Sequence, residues 1–185
     1  MLTLWDLIEP VLRRGQRKKP QASPPKKTVA PPPAPVRRKN TEPMQAKYDA
    51  VVEQMLEKYQ IRVRKWRSGM TGIAWYVTYK DGRQVRLIEA PRPKGPMSAA
   101  VFLHEIGHHA IGFHTYKPRC LEEYHAWAWS LAVMEEHGLN ITDAVRHRMH
   151  LSLWYAVHKA KRRGIREVPP ELTPFLERPP PRRKG

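Results

Sequence analysis

Cysteine occurs once in these 185 residues, at Cys120. A lone thiol excludes an intrachain disulfide and argues against the cysteine-rich ligand sets of structural zinc sites. It suits a reducing compartment, and its simplest reading is an inert small residue. Acidic residues are also scarce, 17 against 34 lysines and arginines, for a net charge of +17. No run approaches the eighteen or so apolar residues needed to span a bilayer. The N-terminal stretch from Leu2 to Leu12 is short, lacks a cleavage site and is interrupted by Asp6 and Glu9, so it does not read as a secretory signal. An intracellular, cytoplasmic protein without a membrane partner is expected. No internal repeat is detectable.

Composition divides the chain. Residues 1–43 hold nine prolines and a charge of +7, and residues 159–185 hold six prolines and +6, leaving only +4 for the middle. The expected organisation is a short amphipathic segment over 1–12, a disordered basic proline-rich linker over 13–43, one domain over 44–163, and a basic proline-rich tail over 164–185. Basic tails of this kind fit either nucleic acid phosphates or an acidic partner, or serve as solvated extensions. No zinc-finger spacing or RNP sequence accompanies them, which argues against sequence-specific reading.

Within the middle lies His104-Glu105-Ile106-Gly107-His108. The apolar spacing from Met97 to Gly112 predicts a helix, with Ser98 as N-cap and Gly112 as stop. On a helix His104 and His108 stand one turn apart on one face, so both imidazoles reach one ion while Glu105 stands beside them. Neutral imidazole suits Zn²⁺; a catalytic zinc has three protein ligands and a water of lowered pKa, whose proton an adjacent carboxylate can take. Glu105 is the candidate general base. Two imidazoles and a carboxylate on so apolar a helix need a buried partner, and a metal supplies one.

The third ligand has three candidates. A second helix is expected from Leu121 to about His137, ending at Gly138, and its first turn carries Glu122 and Glu123. Glu123, in an E-x-x-A pattern, is preferred, with Glu122 solvated or set against the helix dipole. His114 follows His108 at the metzincin spacing, but the glycine of that pattern is displaced to Gly112 and no Met-turn follows. His109, on another face, reads as a surface or supporting residue.

The run LHEIGHHAIG followed by LEEYHAWAWSLA resembles the small gluzincin metallopeptidases, nearest to the ImmA/IrrE-like group, over about Tyr48 to Gly138. That resemblance implies zinc on His104, His108 and Glu123, Glu105 as general base, and a protein or peptide substrate. One departure is Trp127, where such proteins often carry Asp or Asn one turn after the ligand.

The surrounding pattern predicts an α+β, minimal zincin-like domain. A helix over 45–59 is followed by strands over 61–66, 73–79 and 84–90, read as a three-stranded antiparallel meander with Asp81-Gly82 as its hairpin turn. The metal helix, the glutamate helix and a last helix from Asn140 or Thr142 to about Arg163 complete it. An edge strand beside the metal helix would take an extended substrate backbone by strand addition. Tyr124, His125, Tyr155 and His158 are candidate oxyanion donors. Two other classes stay open: a nucleic-acid-associated zinc protease resembling SprT-like proteins, and a non-catalytic basic nucleic-acid-binding protein.

Overall fold

The structure, a computed structural model, describes residues 42–181. The amphipathic segment over 1–12 and nearly all of the linker expected over 13–43 lie outside the described residues. The described chain is α+β. In order it forms α1 (Glu42–Lys58), β1 (Ile61–Arg67), β2 (Ile73–Thr78), β3 (Gln84–Pro91), α2 (Pro96–Ile111), α3 (Arg119–Glu136), α4 (Asp143–Arg162) and a 3₁₀ turn (Pro170–Phe175). Among the described residues no helix is long and apolar enough to cross a membrane.

The sheet differs from the expected meander. Its strand order is β1-β3-β2, with β3 antiparallel to β2 and parallel to β1. Burial explains the choice. β3 carries four consecutive buried residues, Ile88, Glu89, Ala90 and Pro91, as a strand covered on both faces does. β1 carries Arg62, Arg64, Lys65 and Arg67, whose charges blunt an exposed edge. Residues 68–72 therefore carry the chain past β3 instead of closing a hairpin. The second connection is the expected hairpin: Gly82 adopts φ +82°, Tyr79 N–H donates to the Arg83 carbonyl, and Asp81 Oδ1 accepts from Arg83 N.

α2 is the buried central rod. Every residue from Ser98 to His109 is buried, packed between the sheet and α3. Its start differs slightly from expectation: Pro96 is the first helical residue, and Ser98 Oγ reaches back to accept from Lys94 N and Gly95 N while donating to the Gly95 carbonyl. It stops at Gly112, φ +82°, as the sequence predicts.

Gly107 sets how closely α2 and α3 approach. A Cβ there would fall 2.8 Å from the Ala126 carbonyl oxygen and 3.2 Å from the Trp129 ring. Ser130 Oγ donates across the same interface to the Ala100 carbonyl at 2.9 Å. α4 is capped by Thr142, whose hydroxyl accepts from Val145 N, and it lays Val145, Leu153 and Val157 into the core. Beyond it, the stretch that composition sets apart from 164 onward joins the packing: Leu172 is fully buried, and Ile165, Val168, Phe175 and Leu176 lie against the core.

Gly107→Ala forces the two helices apart against backbone, and we expect it to lower the unfolding free energy by about 1–3 kcal/mol in urea titration. An unchanged midpoint would show that the contact is not tight.

Candidate metal centre

His104 and His108 project from successive turns of α2 toward the N-terminal part of α3, where Glu123 meets them. Glu123 Oε2 lies 3.4 Å from His104 Nε2 and 3.6 Å from His108 Nε2. One ligand atom from each of the three residues falls within 4.8 Å of the others. These separations are long for hydrogen bonds. They match the edge of a tetrahedron whose corners stand about 2.0–2.2 Å from a central ion, which is about 3.3–3.6 Å. The three residues are thus close enough to hold a metal ion. Of Glu122, Glu123 and His114, it is Glu123 that the structure brings into the cluster.

Glu122 has a different place from the one expected. It is neither solvated nor a simple dipole partner but 1 % exposed, with Oε1 3.4 Å from His108 Nδ1 and Oε2 accepting from the His114 backbone N–H at 2.7 Å. That carboxylate stands on the Nδ1 side of the ring, opposite the Nε2 that faces Glu123, and makes no hydrogen bond to Nδ1. His114 therefore serves through its backbone, in a left-handed conformation at φ 63°, while its imidazole is exposed and outside the cluster. Trp127 lies flat on His104, ring centroids 4.4 Å apart at 23°, and fixes that imidazole by packing.

Burial and mutual charge shift the protonation of these groups. Burial raises the Glu123 carboxyl, but the adjoining His104 and His108 outweigh it and hold the group well below the usual carboxylate range. Burial lowers His104, which stays neutral. Burial lowers His108 too, yet Glu123, Glu105 and Glu122 together carry it above its ordinary value. A divalent ion among these groups would replace the proton that the carboxylates draw to His108. Buried His104 Nδ1 and His108 Nδ1 make no hydrogen bond.

Glu105 is buried beside the ligands, and burial pushes its carboxyl up to about 7, against the pull of His108. Gly72, where the chain enters β2, makes room for it: a Cβ at Gly72 would stand 2.4 Å from Glu105 Cγ and Oε1. Glu105, His104, His108 and Glu123 all line one cleft of about 780 Å³, walled by Gly72, Ile73 and Ala74 on the sheet side and by α4 on the other. β2 presents its outer edge there, unpaired among the described residues.

Of the expected oxyanion donors, only Tyr155 lines this cleft. Tyr124 packs on Phe175, His125 stacks on Tyr116, and His158 Nε2 is engaged with the Leu176 carbonyl. His109 is not a surface residue: it is 3 % exposed, and its Nε2 lies 3.1 Å from the Leu87 carbonyl, tying α2 to β3. Burial drives its pKa down to about 4, so it is neutral. Sequence reading missed Arg148, which enters from α4, donates to the Met70 carbonyl at 3.1 Å and stands close enough to His104 to oppose its protonation. Nothing in the α4 pattern distinguishes it from the other basic residues there. Comparisons with protein-family models, curated proteins and solved structures found no match.

Two outcomes follow. Metal analysis of the purified protein should give one divalent ion per chain, lost in His104→Ala and Glu123→Ala; retention in Glu123→Ala would remove that residue from the ligand set. The second concerns the metal-free protein. An acid whose pKa rises on folding costs stability once the unfolded carboxyl ionises, near 4.5, and the cost is complete above about 7. Metal-free Glu105→Gln should therefore match wild type at pH 4 and exceed it at pH 8 by on the order of 2–3 kcal/mol, read from urea unfolding by tryptophan fluorescence.

Proposed function

We propose that this protein is a zinc-dependent peptidase of the gluzincin type, with a zincin-like domain, in which His104, His108 and Glu123 hold the ion and Glu105 is the general base. The observation that carries the reading is the convergence of the three ligands with a buried carboxylate of raised pKa at their side, inside an open cleft. When bound, zinc would supply Lewis acidity and an acidified water to a substrate carbonyl.

The chain's own residues supply the rest. Glu105, with a carboxyl near neutrality, is matched to accept a proton from the attacking water and return it to the leaving amine. Its burial against Gly72 restricts where the carboxylate can point. The outer edge of β2 offers unpaired backbone groups to an extended peptide, which would lie beside the ligands as an added strand. Glu122 lies against the Nδ1 side of the His108 ring, and Trp127 packs flat on the His104 ring.

The two other classes find less support. A structural zinc site commonly has four protein ligands, often with cysteine, and Cys120 is buried but outside the ligand cluster. A third histidine, the mark of the SprT-like alternative, is absent from the cluster among the described residues.

Glu105→Gln should keep its metal and lose about 10²–10⁴-fold in peptide hydrolysis, followed by mass spectrometry on a peptide library. Cleavage at the wild-type rate by that variant would overturn the assignment of Glu105.

A further inference from the structure

The cleft has a charge that the proposed chemistry does not use. Its lining includes four cations, Arg119, Arg148, Lys159 and Arg163, and only two acids, Glu105 and Glu123, both committed to the metal centre. Arg119 approaches Glu123 at 3.6 Å. Among the described residues, Arg148, Lys159 and Arg163 pair with no carboxylate. Arg148 spends one hydrogen bond on the Met70 carbonyl, and its Nε is buried without a partner. Lys159 and Arg163 are exposed.

These cations are ordered along one wall. From Arg148 to Lys159 is about 16 Å of helix rise, and Arg163, which caps α4, stands about 22 Å along. An extended chain covers such distances in roughly five to seven residues. Between them the wall carries Tyr155, 55 % exposed, and across the cleft Ile73 is 47 % exposed. A long groove with one sign of charge and interspersed apolar surface concentrates a ligand of the opposite sign.

We infer that the cleft receives an acidic polypeptide segment, its backbone along β2 and its carboxylates along α4 against Arg148, Lys159 and Arg163. This rests on the peptidase reading for the identity of the ligand as a polypeptide. The unpaired strand edge favours a peptide over a nucleic acid, because that edge offers backbone amides and carbonyls in strand register. The basic tails of this chain carry the wrong sign to occupy the groove.

The test uses full-length, zinc-loaded Glu105→Gln, so that binding is read without turnover, and fluorescent peptides of about ten residues that are Glu-rich, Gln-rich or Lys-rich. Fluorescence anisotropy should show the Glu-rich peptide bound at least about tenfold more tightly than the Gln-rich one. The added pair Lys159→Glu/Arg163→Glu should weaken it about tenfold, and the exposed pair Arg62→Glu/Lys80→Glu, which changes net charge equally, less than about twofold. Equal losses in the two pairs would reduce the effect to net charge and overturn the inference. So would a single-stranded oligonucleotide of matching charge that binds more tightly and is more sensitive to the cleft pair. Wild type that cleaves Gln-rich and Lys-rich peptides as fast as Glu-rich ones leaves the peptidase reading intact and overturns the acidic preference. Cleft-dependent binding of an acidic peptide that wild type never cuts sustains the acidic preference and overturns the peptidase reading.

Discussion

The close approach of α2 and α3 at Gly107 and Ala126 is the constraint on which the site depends. Gly107, between the two histidines, stands where a side chain would meet the Ala126 backbone. His104 lies three residues before Gly107 along α2 and His108 directly follows it, and Glu123 lies about one turn before Ala126 along α3. Van der Waals contact at the crossing thus sets the gap across which three ligand atoms must meet. A difference of one methyl group is comparable to the tolerance of coordination geometry.

That geometry brings several ionisable groups into an apolar interior. Glu122, Glu105, His104 and His108 are all buried, and Glu123 is partly buried. Without a cation the carboxylates are excess negative charge, and the shifts record the tension: His108 is drawn up and Glu105 refuses to ionise below about 7. Buried charge of this kind is tolerated when it is paired or coordinated. The same surroundings that make these buried charges costly give Glu105 a pKa suited to moving a proton at neutral pH.

Much of the centre was legible because it is local. The i, i+4 histidines, the glycine stops at Gly112 and Gly138, and the Asp81-Gly82 turn are all set by neighbours within a few residues, which periodicity and turn chemistry can read. The strand order was not. Alternation in Ile61–Trp66 tells which face is buried, not which strand lies alongside, and a glycine-bearing connector over 68–72 serves a hairpin or a crossing equally well. The role of Glu122 was also hidden, since two adjacent carboxylates in one helical turn differ only in direction, and burial decides between ligand and support. Arg148 and Gly72 reach the site only through tertiary packing, from segments that show no motif.

The fate of Leu172 bears on how the cleft comes to exist at all. This residue is fully buried in a 3₁₀ turn near the end of the described chain, and Ile165, just past α4, lines the groove. The ligand hairpin of α2 and α3 is contiguous in sequence and can meet through short loops, but the wall opposite the sheet is locked only when residues some fifty positions beyond Glu123 dock. The approach of α2 to α3 therefore depends on local chain closure, and the groove wall on contacts of much longer sequence range.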